Sequence, residues 1–291
     1  MIRPANPRRF VARTAVAAAT ALLAVACSND PGASSSTSSA PVAPARLSHA
    51  LPDDPARMVL PATGPESRWT QGLDVLAQQT ARTVETSCAR RGGISLPEQP
   101  PVSFISYSEI PDLDFLARHG FGHGATVPTP VASPAPPRSV SPATSGDCRD
   151  QGAAAARKLR DTYATLQGQW FRELASVQRL PATVRALETL PDCLSGYGFQ
   201  VRDENGFFAL VDSRLLDAPS AEFPYVDREL GRAYATCMRP VEAVREPARQ
   251  QLRTRFLTEH ADEVGELRRT LVPSLRRAEK QFGVRLSFPA P

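Results

Sequence analysis

Residues 147–179 read DCRDQGAAAARKLRDTYATLQGQWFRELASVQR, and this stretch decides the fold class. Leu159, Tyr163, Leu166, Trp170, Leu174 and Val177 recur at spacings of three and four, which places them on one face of a helix from about Asp147 to Arg179. The same pattern runs outward in both directions. Trp69, Leu73, Leu76, Thr80, Val84 and Cys88 predict a helix from about Glu66 to Arg91, stopped by Gly92-Gly93. Pro181 opens a shorter helix with Val184, Leu187 and Leu190 inward, which Pro191 is expected to end. Helix resumes at about Glu222 with Val226, Leu230, Ala233 and Cys237, is interrupted near Pro240, and resumes from Pro247 with Leu252, Phe256, Val264, Leu267, Leu271 and Leu275. One segment reads differently. Phe199 and Val201 precede Asn205-Gly206, and Phe207, Ala209 and Val211 follow, which is a hairpin signal. The expected fold is all-α, a mostly helical bundle with a long C-terminal helix, plus a small β-hairpin.

The N-terminus carries Arg3, Arg8, Arg9 and Arg13 with no acid, then an apolar run from Ala15 to Ala26. The run is about a dozen residues where a spanning helix needs roughly 20. It reads as a signal segment, and the small Ala26 before Cys27, with polar Ser28-Asn29-Asp30 beyond, resembles a bacterial lipobox. That resemblance implies a lipid on Cys27 after cleavage, which gives the expected organisation: signal 1–26, tether 27–65 rich in Ser, Ala and Pro, and a helical domain 66–288. Within the domain, 126–146 reads as a disordered proline-rich loop. Ala24 stands where a lipobox usually has Leu, and an ordinary cleavable signal is the alternative. Arg8-Arg9 also fits a loose twin-arginine signal, so either export route is open.

Charge excludes one function class. Lys and Arg number 34 against 30 Asp and Glu; without the four signal arginines the balance is 30 to 30. Nucleic acid is therefore not an expected partner. The expected partners are the membrane, through lipid on Cys27, and a wall polymer or envelope protein.

Cys88, Cys148, Cys193 and Cys237 remain, an even number in an exported chain, which predicts two disulfides with three possible connectivities. An internal echo bears on the choice. Cys88-Ala-Arg-Arg-Gly-Gly-Ile and Cys193-Leu-Ser-Gly-Tyr-Gly-Phe each lead from a helix-borne cysteine to glycine and an apolar residue, and each precedes another helix-borne cysteine. If the halves are equivalent, Cys88 pairs with Cys148 and Cys193 with Cys237. A zinc site is disfavoured, because no Cys-x2-Cys pair is present.

These residues resemble a large, uncharacterised group of actinobacterial secreted lipoproteins. The likeness lies in Cys88 before Gly92, Cys148 followed by Ala153 to Ala156, Trp170, Cys193 with Gly198-Phe199, the helix carrying Cys237 and the charged C-terminal helix, over about Glu66 to Arg277. It implies export, a lipid anchor and two disulfides, and no reaction. Leu194 replaces a common Met, and the proline loop before Cys148 is long; both departures concern loop geometry.

Candidate chemistry is sparse. His119-Gly-Phe-Gly-His123 could share a metal on a helix, but two glycines favour a solvated loop, and no metal or cofactor is expected. Glu259, His260 and Glu263, with Arg253, Arg255, Arg268 and Arg269, read as a solvated helix face. Gly-x-Ser-x-Gly and Ser-x-x-Lys are missing, so no catalytic residue is assigned. Glu85, Asp192, Asp227 and Glu229 are the acids a wall-acting hydrolase would have to bring together. Trp69 and Trp170 could stack on sugar rings, yet both fall on apolar stripes and are expected in the core. The function expected is a lipid-anchored envelope module that binds or braces, with a hydrolase as the alternative.

Overall fold

The computed structural model describes residues 45–97, 99, 102–104, 107–121, 127 and 144–290. Expectations for the signal, for Cys27, for His123 and for most of the proline-rich segment lie outside the described residues. All described residues belong to one compact unit, Val42–Pro291. In chain order its elements are β1 (Leu47–Ser48), α1 (Ala56–Val59), α2 (Gly64–Arg91), α3 (Leu113–His119), α4 (Ser145–Arg160), α5 (Ala164–Leu174), α6 (Pro181–Leu187), α7 (Leu190–Gly196), α8 (Glu204–Asp217), α9 (Phe223–Glu259), α10 (Ala261–Phe282) and β2 (Phe288–Pro289). Among the described residues the domain is all-α with one two-stranded antiparallel sheet, stapled by Cys88–Cys148 and Cys193–Cys237.

Helix α2 starts where Thr63 and Glu66 form a capping box, and it ends at a left-handed glycine. Gly93 has φ 66°, its N–H donates to Arg90 O, and Ile94 N–H donates to Ala89 O. Helix α7 ends the same way, with Gly198 at φ 85°, Gly198 N–H on Ser195 O and Phe199 N–H on Leu194 O. Both are Schellman caps, which need glycine at the left-handed position and set an apolar residue after it. The internal echo of the two cysteine segments is thus a repeated helix ending, and the pairing it suggests is the pairing found.

Two apolar clusters share α9 as a spine. The larger gathers α1, α2, α5, α10 and the C-terminal part of α9 around Trp170, which is fully buried, donates Nε1–H to Pro61 O at 2.9 Å and meets Phe256 edge-on at 5.4 Å. The smaller gathers α3, α7, α8 and the N-terminal part of α9 around Phe121, Phe207, Tyr234 and Met238. Glycine permits the closest helix contacts. A Cβ at Gly152 would lie 2.5 Å from Ala81 O, which lets α4 lie against α2 one turn from the Cys88–Cys148 bond. A Cβ at Gly231 would lie 2.5 Å from Leu116 O, where α9 meets α3.

Several local expectations are corrected. The segment around Asn205-Gly206 is the first turn of α8, because the Asp203 carboxylate accepts from Gly206 N–H at 2.7 Å and caps a helix there. Phe207, Val211 and Leu215 then face inward at helical spacing. The β element instead joins distant parts of the chain, Leu47 opposite Pro289 and Ser48 opposite Phe288. Pro191 lies in the first turn of α7 rather than ending its predecessor. Pro240 and Pro247 lie inside an unbroken α9, about 55 Å long at 1.5 Å per residue. Both prolines are exposed, as are Thr236 and Ala243, whose carbonyls they leave unbonded to water-facing sides of the helix. Burial of Leu230, Tyr234, Met238, Val241, Leu252 and Phe256, at roughly 1.5–3 kcal/mol per large side chain, outweighs the roughly 3 kcal/mol that each proline costs. Conversely, the single helix expected over 147–179 bends at 161–163, where Thr162 Oγ1 bonds back to Leu159 O and Tyr163 N–H takes the tighter partner Arg160 O. His260 similarly separates α9 from α10. The tether expected to run to residue 65 ends sooner: Met58, Val59 and Leu60 are fully buried in the larger cluster. Within 126–146, Val127 is buried and its N–H donates to Val102 O, and Thr144 caps α4.

Candidate functional site

The α4–α5 bend and the start of α10 enclose a cleft of about 450 Å³. Asp161 caps α4, its N–H on Arg157 O at 2.8 Å, and leaves its carboxylate at the rim. Asp262 and Glu263 occupy the first turn of α10, where negative charge complements the helix dipole, and Glu266 follows one turn on. Thr162, Thr165, Thr270 and Gln169 complete the polar lining, and Leu166 and Leu267 form an apolar part. The exposed wall of the cleft is mostly apolar, with carboxylate, hydroxyl and amide groups on a smaller part of it, a lining suited to a ligand that lays an apolar face against the wall and donates hydrogen bonds at its edge. Tyr163 also lines it. Burial, with the nearby Asp74 charge, pushes its phenol far above 10, so it stays neutral at physiological pH. Desolvation by neighbouring groups raises the carboxyl of Asp74 as well, although the residue has an exposed surface, against the opposing charge of Arg160.

A second polar assembly is closed to solvent. Glu242, Arg245 and Arg249 are 6%, 1% and 2% exposed and occupy the stretch of α9 between the two apolar clusters. Arg249 pairs with Glu242 and donates Nε–H to Ala62 O at 2.8 Å. Arg245 lies 3.5 Å from Glu242 and 3.6 Å from Glu204, which accepts the Tyr234 hydroxyl. One turn on, Arg253 pairs with Glu66, whose carboxylate also accepts from Ala62 and Thr63 N–H at 2.8 and 3.2 Å. These groups tie the α1–α2 turn and α8 to α9. Beside them, the N-termini of α2 and α3 and the middle of α9 border a groove of about 390 Å³, bridged by the Asp114–Arg239 pair at 2.8 Å.

The acids named from sequence do not line the cleft. Asp227 is buried and accepts Phe121 N–H at 2.8 Å. Glu85 lies at the α2–α4 contact and accepts from Gln99 at 3.2 Å. Asp192 and Glu229 are exposed on α7 and α9. His119 ends α3 against Phe115, its ring centroid 4.9 Å away, and burial, aided by Arg118, lowers its pKa. Trp69 packs against the larger cluster and Trp170 lies inside it, so both serve as core. Of the arginines read as a solvated face, Arg255 and Arg269 fit that reading; Arg253 joins the buried assembly and Arg268 clamps Asp54, with Arg268 Nη2 2.6 Å from its carboxylate. The buried assembly had a legible signal: Glu242, Arg245 and Arg249 fall on the stripe of Met238, Val241, Leu252 and Phe256. The meeting of Asp161 with Asp262 had none, since it depends on how α5 folds back.

Among the described residues no group of three His, Cys, Asp or Glu side chains is arranged to hold a metal, and no helix is long and apolar enough to cross a membrane. No family model, curated protein or solved structure matches the chain.

Proposed function

We propose that this chain is an exported lipoprotein, held to the outer face of the cytoplasmic membrane by acyl chains on Cys27, whose rigid helical domain binds a wall polymer or envelope protein. The observation that carries the reading is the pair of disulfides in the interior, closing loops across 60 and 44 residues. Bonds of this kind belong to oxidising compartments outside the cytoplasm. The arginine-led apolar segment ending at Ala26-Cys27 supports the anchor, and more than one acyl chain is what stable anchoring requires. The cleft between α5 and α10 supports the binding role, because it joins an apolar wall to a border of carboxylates, among them Asp161 and Asp262, that can accept from the hydroxyls and amines of wall material.

Mass spectrometry of the native, membrane-fractionated protein tests the address. The expected mature chain begins at an acylated Cys27 and yields the two disulfide-linked peptide pairs without reduction. A cytosolic, unacylated chain would overturn the reading. The same acidic cleft is where a hydrolase would act, so wall glycans and peptides should be assayed as substrates. Turnover that disappears in Glu266→Gln would replace binding by hydrolysis.

A further inference from the structure

Beyond the four N-terminal arginines the chain balances 30 cationic against 30 acidic side chains, but α10 is not balanced along its length. At its start lie Asp161, Asp262, Glu263 and Glu266 around the cleft. At its end lie exposed Arg276, Arg277 and Lys280, followed by exposed Arg285. Contacts tie this basic end to the point where the chain enters the domain. Arg276 holds Glu279 at 2.7 Å, and Glu279 accepts Leu286 N–H at 2.7 Å. Leu286 O lies 2.8 Å from His49 Nδ1, and Ala290 N–H donates to the carbonyl of exposed Arg46 at 2.7 Å. Bordering acids are Glu279, already engaged, and Asp53 and Asp54 in the β1–α1 turn, the latter clamped by Arg268. With the Arg268–Asp54 pair neutral, five cations at this end, Arg46, Arg276, Arg277, Lys280 and Arg285, against Glu279 and Asp53 leave a local net charge of +3 (5 − 2) among the described residues.

We propose that this basic end is a docking surface for the anionic headgroups of the bilayer that carries the anchor, an inference that rests on the lipoprotein reading. Two observations select that occupant. The 17 residues from Ser28 to Pro44 separate Cys27 from the domain and enter it beside Arg46, so the tether starts at the basic end and keeps that end within about 60 Å of the headgroups. The charge also has the sign that anionic lipids attract. Docking there points α10 away from the bilayer and holds the acidic cleft about 27 Å from the basic end, counted over 18 residues of helix, beyond the roughly 8 Å over which the surface charge would repel it.

The test uses the mature chain, residues 27–291, carrying Cys27→Ser so that no acyl chain contributes. It is mixed with vesicles of phosphatidylcholine alone or with roughly one third phosphatidylglycerol. Binding to the anionic vesicles is expected to be at least about tenfold tighter, and to fade in about 0.5 M NaCl. The triple variant R277E/K280E/R285E, all on exposed positions, should lose the preference; R149E/R172E/R179E, with the same charge change elsewhere, should keep most of it. Equal binding to both vesicle types, or loss of preference in both triple variants alike, overturns the proposal. Near-ultraviolet circular dichroism and non-reduced peptide maps check that each variant is folded and oxidised. Acylated native protein with no vesicle preference would leave the anchor and remove the docking surface; vesicle preference with an unacylated native N-terminus would do the reverse.

Discussion

Glu242→Ala isolates the energetics of the buried assembly. Glu242 faces two arginines, Arg245 and Arg249, that have almost no access to water. After truncation Arg249 keeps its bond to Ala62 O, while Arg245 retains only Glu204 at 3.6 Å, and its Nε already lacks a protein acceptor among the described residues. Removing one member of a buried pair and stranding the other costs about 3–5 kcal/mol. At roughly 2–4 °C per kcal/mol for a domain of this size, the melting temperature should fall by about 6–20 °C. Equilibrium urea unfolding followed by far-ultraviolet circular dichroism, with both disulfides intact, measures the loss. Glu266→Ala is the reference, since its pair with Arg269 joins side chains that are 59% and 70% exposed and should contribute less than about 1 kcal/mol. The double variant E242A/R249A should be less destabilised than the sum of its single variants by about 1–3 kcal/mol, because it removes one of the stranded charges. A loss under about 1 kcal/mol for E242A, or simple additivity in the cycle, would refute the assignment of a charged, desolvated set.

Helix endings give a signed pair: Gly198→Ala should destabilise by about 1–2 kcal/mol through its φ of 85° alone, since nothing lies within 4 Å of the added Cβ. Gly196→Ala, two residues earlier in helical backbone with equally open space, should stabilise by up to about 1 kcal/mol, and denaturation midpoints shifting in the same direction would contradict the cap. Asp74 is exposed as a residue, but crowding by its neighbours desolvates its carboxyl and raises its folded pKa, so the folded state binds the extra proton and a small part of the stability is lost as pH climbs from 3.8 through the raised value. Asp74→Asn should therefore be more stable than the parent at neutral pH, with the advantage vanishing below about pH 3.8 in a pH series of unfolding curves; an advantage independent of pH would rule out this cause. Reduction of each disulfide should remove about 4 kcal/mol in the chain-entropy model, given spans of 60 and 44 residues, so thermal melts with and without reductant should differ widely rather than coincide.

Spacing made the helices legible because each buries one stripe, and Trp170, Leu174, Leu252 and Phe256 lie where their periodicity puts them. Breakers were harder to read, since their effect depends on which side of the helix meets water. Pro240 and Pro247 are tolerated because they face out, a fact no local pattern contains. Asn205-Gly206 carried a true turn propensity, yet Asp203 two residues earlier offered a helix cap that closed with tertiary support from Phe207 on Tyr234 at 5.6 Å. Long-range pairings were illegible for a simpler reason. β1 and β2 are two residues each and lie at opposite ends of the described chain, and the cleft acids come from segments about a hundred residues apart. Residues 45–65 looked like tether because composition averages over a window, whereas Met58-Val59-Leu60 bury as a single turn.

The charged middle of α9 has a consequence that apolar packing alone could not produce. Both ends of this helix present apolar stripes to apolar clusters, so a slide of three or four residues would still match hydrophobic with hydrophobic at many positions. Such a slide would carry Arg245 and Arg249 away from Glu204 and Ala62 O, and would part Arg253 from Glu66. Each separated ion would then face a desolvation cost of several kcal/mol without its partner. The penalty is steep because the groups are buried, and it acts only on wrong registers because the right one satisfies them. Toward the N-terminal end of α9 the Cys193–Cys237 bond and the close contact of Gly231 with α3 already oppose such a slide, and the charged assembly adds a register constraint at the middle of the helix. Together with the Phe207–Tyr234 stacking and the Trp170 bond to Pro61 O, it fixes where α8 and the α1–α2 turn meet the spine.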